Sequence, residues 1–303
     1  MRATKVGSLL LKNAVMTAAG TAGHGAELGD YLDLSALGAH VVKSLAPYPW
    51  DGNPSPRVAP VPGGMLNSVG LQGPGVAAWL EEELPSLEAS GAAVVASIWG
   101  RRVEDYAEAA GALAAAPACV VAVEVNVSCP NVEDRLRMFA HSPSATAEVV
   151  AATAGCRRPR WAKLSPNVTD ITEIAAAALS AGAEAVTLTN TLIGLDLDLE
   201  RRRPVLGAGG GGLSGPPLRP VALRAVYDTR AALPEAAIIG VGGVSSGADA
   251  LKFLLAGANA VQVGTATLAE PRAAARVLAE LEGLLDRAGV ESIDELIGAA
   301  HGD

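Results

Sequence analysis

The chain has 303 residues, half of them apolar but only 3% aromatic, with 34 glycines and a formal net charge of -9. That length allows one large domain or two ordinary ones, and the make-up suits a tightly packed α/β protein with a Val, Ile, Leu and Ala core. The acidic balance, with no basic run longer than "RRRP" at 201–204, argues against a nucleic-acid partner, and an N-terminal apolar run broken by Lys12 and Asn13 is too short for a membrane span and lacks a signal-peptide cleavage pattern. A cytoplasmic protein is expected.

In chain order, eight apolar or β-branched runs read as strands: 13–20, 39–45, 92–100, 120–127, 161–165, 184–190, 236–243 and 259–264. Helical periodicity alternates with them at roughly 27–37, 75–90, 102–116, 144–154, 170–182, 218–232, 246–257 and 270–288. Strand and helix alternating eight times, with no linker between them, predict a single-domain (β/α)8 TIM barrel over 1–303; a doubly wound open sheet is the alternative. Two connections exceed the usual βα length. The first, 46–75, contains "PRVAPVPGGMLN" and predicts an inserted hairpin after strand 2. The second, 191–220, is a long loop after strand 6 whose "LGAGGGGLSGPP" is linker-like in composition, although long loops at strand ends more often build a ligand site.

In such a barrel the site forms where strands end. Those positions hold Thr21, Lys43, Ser44, Ser97, Asn126, Cys129, Lys163, Asn190, Thr191, Gly242, Gly243, Gly264 and Thr265. Polar residues closing otherwise apolar strands, one strand after another, converge on one mouth. Cys129 is the most pointed of them, because it sits where a buried strand must stop, fixed by Pro130. "GVGGVSSGADA" and "VQVGTATLAEP" each place glycine, or glycine with a hydroxyl residue, before a helix start, where backbone N–H groups favour a phosphate.

Lys43 and Lys163 lie inside apolar strands and must pair or face a polar ligand. An ion pair with Glu124 is one reading. For Lys163 a Schiff-base role and a fixed charge for an anionic ligand are the others. Asn67, Asn126 and Asn190 offer donors and acceptors that suit a planar ring bearing C=O and N–H groups. Cys119 and Cys156 read as structural, Asp170, Asp249 and Glu270 as helix-start residues, and the scattered Cys and His residues support no metal site.

With these residues aligned, the chain resembles the class 1 dihydroorotate dehydrogenases, and within them the catalytic subunit of the B subtype. The likeness spans the whole chain. It is carried by "LKNAVMTAAGT", "VVKSL", "MLNSVGLQGPG", "EVNVSCPNV", "AKLSPNVTDI", "LTNTLIG", "GGLSGP" and "IIGVGGVSSGADALKFLLAGANAVQVGTA". The resemblance implies FMN as cofactor, contacted by Thr21, Lys43, Ser44, Ser97, Asn126, Lys163, Thr189, Gly215, Gly242, Gly243, Gly264 and Thr265. It implies dihydroorotate as substrate, contacted by Lys43, by Asn67, Ser68, Val69, Gly70 and Leu71, and by Asn126, Asn190 and Thr191. Cys129 would be the catalytic base, its thiolate favoured by Lys43.

The expected assembly is a homodimer joined by an electron-transfer subunit carrying FAD and a 2Fe–2S cluster, with NAD as final acceptor and no nucleic acid or membrane involved. The fumarate-dependent A subtype, or a related FMN barrel acting on another pyrimidine-like substrate, is the alternative. Two positions depart from the family pattern: Ser97 stands where Asn is usual, and Arg135 and Leu136 replace adjacent glycines after the cysteine.

Overall fold

In a computed structural model, which describes residues 1–128 and 138–302, the eight predicted strands form one parallel sheet. They are β1 Val15–Thr17, β2 His40–Val41, β3 Val94–Ile98, β4 Val120–Asn126, β5 Arg160–Leu164, β6 Ala185–Leu188, β7 Ala237–Val241 and β8 Ala260–Val263. Each lies within or at the edge of its predicted run. Hydrogen-bonded neighbours run from β2 through β3 to β8 and on to β1. A parallel bridge between Met16 and Ala39, with the Gly38 N–H on the Val15 carbonyl at 2.8 Å, brings β1 back to the start of β2. The sheet is thus a (β/α)8 barrel, and its strands read as nearly continuous apolar runs because both faces are covered.

Helices at 76–89, Val103–Ala112, Pro143–Ala152, Ile171–Ser180, Arg219–Ala232, Gly247–Ala256 and Ala273–Ala288 form the outer ring. Three start on side-chain caps: Ser142, Asp170 and Ser246 accept from the N–H groups of Ala145, Thr172 and Asp249. The helix predicted at 27–37 does not form. Two short 3-10 turns, Glu27–Asp30 and Leu34–Ala36, stand there instead. Gly29 weakens a helix, and the Asp33 carboxylate takes the Ser35 N–H at 2.9 Å, a local bond that competes with helical pairing.

The two ends of the barrel are closed differently. A hairpin of Thr4–Val6 and Leu9–Leu11 covers the amino end, where Ser8 N–H meets Glu184 and the Thr4 hydroxyl meets the Asn259 carbonyl. Over the carboxyl end lies a four-stranded antiparallel roof. The predicted insert supplies the hairpin Val58–Val61 and Gly64–Asn67, and the loop after β6 supplies Leu192–Gly194 and Gly211–Ser214. Part of the glycine-rich stretch, Gly211–Ser214, is therefore a strand of the roof and not a linker. A Cβ at Gly212 would overlap the Thr191 hydroxyl, which is why that strand is built from glycine.

Glycine has a comparable part in the wall. At Gly240 of β7, an added Cβ would lie 2.5 Å from Cδ1 of Phe253, a fully buried ring of the following helix. Gly240→Ala is expected to cost about 1–3 kcal/mol by overpacking, measured as a lower denaturant midpoint at unchanged slope. No helix among the described residues is long and apolar enough to cross a membrane.

Candidate active site

The strand ends and the roof enclose a cavity of about 310 Å³. It shares Val58, Met65, Gly215, Gly243, Thr265 and Leu268 with an adjoining cavity of about 580 Å³. Both are of the size of small-molecule sites. Around the first stand Thr21, Lys43, Ser44, Asn67, Val69, Gly70, Leu71, Asn126, Lys163, Thr189, Asn190, Thr191, Gly215, Gly242, Gly243, Gly264 and Thr265. All were expected from the sequence.

Two expected residues do not line it. Ser97 is fully buried, sharing a 2.8 Å hydrogen bond with the Ser44 hydroxyl, so it stands one layer behind the wall. Ser68 turns to the loop, where its hydroxyl accepts from Asn53 Nδ2 at 2.7 Å. Cys129, with Arg135 and Leu136, lies outside the described residues. Sequence reasoning missed Met65, Ser214 and Leu268, which also line the cavity. The Ser214 hydroxyl accepts from Thr265 Oγ1 at 2.8 Å, tying the roof to the end of β8.

Polar side chains along one wall are linked to each other. Asn126 Nδ2 donates to Ser44 Oγ at 3.4 Å, and Asn190 Nδ2 donates to Asn126 Oδ1 at 3.3 Å. These bonds are long, so the amides remain able to turn to a ligand. The main chain around them is held more tightly. Tyr106 OH donates to the Asn126 carbonyl at 2.8 Å, and the Asn190 N–H donates to the Leu164 carbonyl at 2.7 Å. Asn67 reaches the site from the roof, with its Nδ2 on the Gly212 carbonyl at 3.3 Å.

Lys43 departs from the β2 ladder to reach the cavity, its own N–H bonded to the Gly23 carbonyl at 2.9 Å. Burial pushes its pKa down, and the nearby Arg57 charge adds to this. Burial and Lys43 together lower His24 to about 4, so that ring is neutral at pH 7. Lys163, only 6% exposed, stands on β5 in register with Asn126. The loop carrying Asn67 to Leu71 is fastened by Trp50, whose Nε1 donates to the Gly70 carbonyl at 3.0 Å, and by Arg57, which donates to Gln72 and to the Asn53 and Asp51 carbonyls. Trp50 in turn packs edge-on with Tyr48 and Trp99.

Glycines 242 and 243 are followed by Ser245 and the helix from Gly247, and Asp249 braces this turn. It accepts from the Ser245 hydroxyl at 2.9 Å, the Ser245 N–H at 3.2 Å and Arg219 Nη1 at 2.6 Å. Burial works to raise its carboxyl pKa, but Ser245, Ser246 and Arg219 outweigh burial and hold it below the usual range. Stability from a depressed carboxyl is fully present above the unfolded pKa of about 3.9 and is lost as pH falls through the folded value. Asp249→Asn is therefore expected to lower Tm at neutral pH and to leave it unchanged well below the folded pKa, as thermal melts at the two pH values would show.

Two lysines facing a wall of amides, hydroxyls and backbone polar groups suit an anionic, partly planar ligand. Among the described residues no group of three His, Cys, Asp or Glu side chains is placed to hold a metal ion.

Comparison with known proteins gives a consistent set of likenesses. The family model for dihydroorotate dehydrogenase matches residues 1–285. The protein of Desulforudis audaxviator (strain MP104C) named "Dihydroorotate dehydrogenase B (NAD(+)), catalytic subunit" is 51% identical over 300 residues, 99% of this chain and 97% of its own length. Proteins of the same name from Geobacter sp. (strain M21) and Alkaliphilus oremlandii (strain OhILAs) are 48% and 46% identical, each over 97% of this chain and 96% of their own length.

Proposed function

The chain belongs to the dihydroorotate dehydrogenase family, and from that premise we propose that it oxidises dihydroorotate to orotate in pyrimidine biosynthesis, as the FMN-binding catalytic subunit of a B-type enzyme. The observation that carries this reading is the convergence of Lys43, Asn67, Asn126, Lys163 and Asn190 on one cavity. A flavin fits the residues present. Thr189 Oγ1 is buried in the wall with no hydrogen-bond partner among the described residues, and a ring heteroatom would give it one. Gly243 and Thr265 lie where both cavities meet, beside a helix start suited to the phosphate.

Bound FMN supplies the acceptor for a hydride leaving C6 of the substrate. The chain does the rest. Lys43 holds the substrate carboxylate, and Asn126, Asn190 and Asn67 keep the pyrimidine ring in register. Cys129 takes the proton from C5 at its thiolate; an ordinary thiol of pKa about 8.5 is only about a tenth ionised one unit below that value, so a cation such as Lys43 would assist. Lys163, lining the same cavity, would supply a fixed positive charge to the bound cofactor.

A separate subunit carrying FAD and a 2Fe–2S cluster would take the electrons on to NAD. The "catalytic subunit" in the relatives' names supports a partner of this kind. The exposed row Ile193, Leu195, Leu197 and Leu199 on the loop after β6 offers apolar surface for a subunit contact in the homodimer. Anaerobic mixing of the purified, flavin-loaded chain with dihydroorotate is expected to bleach the flavin, with fumarate failing to restore its colour. A chain that binds no flavin, or whose flavin is not bleached, overturns the reading; re-oxidation by fumarate would make it the A subtype.

A further inference from the structure

The loop that carries Asn67 to Leu71 holds a bulky residue in a conformation it rarely takes. Leu71 has φ +64°, directly after Gly70 at φ +76°. Glycine adopts this left-handed region freely, whereas a leucine stays there only when its surroundings hold it. Both residues line the cavity, with Val69 beside them, so the strained turn faces the ligand.

Trp50 grips the chain on both sides of Leu71. Its indole N–H donates to the Gly70 carbonyl at 3.0 Å. Its main-chain N–H donates to the Gly73 carbonyl at 2.9 Å, and its carbonyl accepts from the Gly73 N–H at 3.0 Å. Trp50 is not among the residues lining the cavity. The indole is itself held from behind. Trp99 and Tyr48 lie edge-on to it with ring centroids 6.1 and 6.4 Å away, and the Arg101 guanidinium sits 5.1 Å from its centroid. Tyr48 and Arg101 both reach Asp105, the Tyr48 hydroxyl at 3.0 Å and the Arg101 N–H at 2.7 Å. Asp105 belongs to the helix Val103–Ala112 that follows β3, and Leu71 packs on the same apolar group as Trp50. Contact therefore runs from the barrel's outer ring, through the indole, to the backbone beside Leu71.

We propose that Trp50 is a positioning residue for the substrate: its indole N–H holds Gly70 and Leu71 in the left-handed turn that presents residues 67–71 to the pyrimidine, and so sets substrate affinity without touching the ligand. This rests on the dihydroorotate reading given above. Deleting that N–H leaves the main-chain pair with Gly73 in place and lets Leu71 relax towards negative φ, which carries Val69 and Gly70 away from the ligand. The residues assigned to the flavin lie outside this loop, so cofactor binding is separate from the effect.

The test compares the flavin-loaded wild type with Trp50→Phe, which keeps an aromatic ring and removes the N–H, and with Trp50→Leu, which removes both. Orotate affinity is read from the flavin spectral shift, and stopped flow gives the limiting rate of flavin bleaching at saturating dihydroorotate. Trp50→Phe is expected to weaken orotate binding about three- to tenfold, the effect of one net hydrogen bond, and Trp50→Leu to weaken it further. Flavin content and the limiting bleaching rate are expected to stay within about twofold of wild type, because the loop holds ground and transition states alike. A merely structural tryptophan would lower flavin content, rate and affinity together. That outcome overturns the inference, as does an orotate affinity unchanged in Trp50→Phe, and either leaves the proposed function standing. The Phe variant carries the test if Trp50→Leu does not fold. A wild-type flavin that orotate does not perturb and dihydroorotate does not bleach overturns both.

Discussion

Replacing Cys129 by alanine is expected to leave the flavin bound and to slow its bleaching by dihydroorotate about 100- to 10,000-fold, the range that a positioned general base contributes. The residue follows directly on Asn126, Val127 and Ser128, which carry the chain out of β4 at the mouth, with the Ser128 N–H held on Asn126 Oδ1 at 3.2 Å. The C5 proton is weakly acidic, and alanine offers nothing to receive it. Orotate affinity reports ring and carboxylate contacts, so it is expected to change little. Stopped-flow bleaching together with an orotate titration separates the two effects. Near-normal bleaching in the variant would remove Cys129 from the mechanism.

Lys43→Met is expected to weaken orotate binding about 30- to 1,000-fold, the consequence of removing one side of a half-buried charge pair worth about 2–4 kcal/mol. Its length and apolar stem are kept by methionine, so the loss reports the charge. The same lysine predicts a pH dependence. Burial and Arg57 hold its pKa below the ordinary lysine value. Its charge is therefore lost at a lower pH than usual, and orotate affinity in the wild type should decline as pH rises through that lowered value. The Met variant should show no such decline. Flavin spectral shifts on titration with orotate, repeated across the alkaline range, measure both; an unchanged affinity at neutral pH would free Lys43 of the carboxylate.

The barrel was legible because its signals are local. Period, β-branching and glycine at strand ends lie within a few residues of one another, and eight strands followed from them. What failed locally also failed for local reasons: at 27–37 the helical spacing was real, but Gly29 and the Asp33 side-chain bond defeated it. The residues lining the cavity were legible as polar endings of apolar strands, sharpened by the likeness to a known family. Ser97 shows the limit of that approach. Position along β3 placed it at the mouth, but its hydroxyl lies behind Ser44, and a one-layer displacement leaves no trace in sequence.

The roof was half legible. "PRVAPVPGGMLN" announced a hairpin, but nothing near "GAGGGG" says that it will pair with Gly64–Asn67. That pairing depends on two loops brought together by the closed barrel. A buried hydrogen-bonded cluster inside the barrel, Glu124 with Thr187 and Gln262, has the same character. Glu124 was visible as an acid in an apolar strand, whereas its partners Thr187 and Gln262 are ordinary residues until the strands are curled into a ring.

The seam of the roof also orders events in time. Asn67 and the Gly212 carbonyl it meets are 145 residues apart in the chain, and the strands on either side of that seam emerge from opposite halves of the barrel. Closing a loop of that length costs entropy that the short strand pairs cannot recover alone, so the seam forms only once the β2 and β6 ends have been set side by side. The roof side of the cavity is thus expected to close after the wall made by the strand ends has formed.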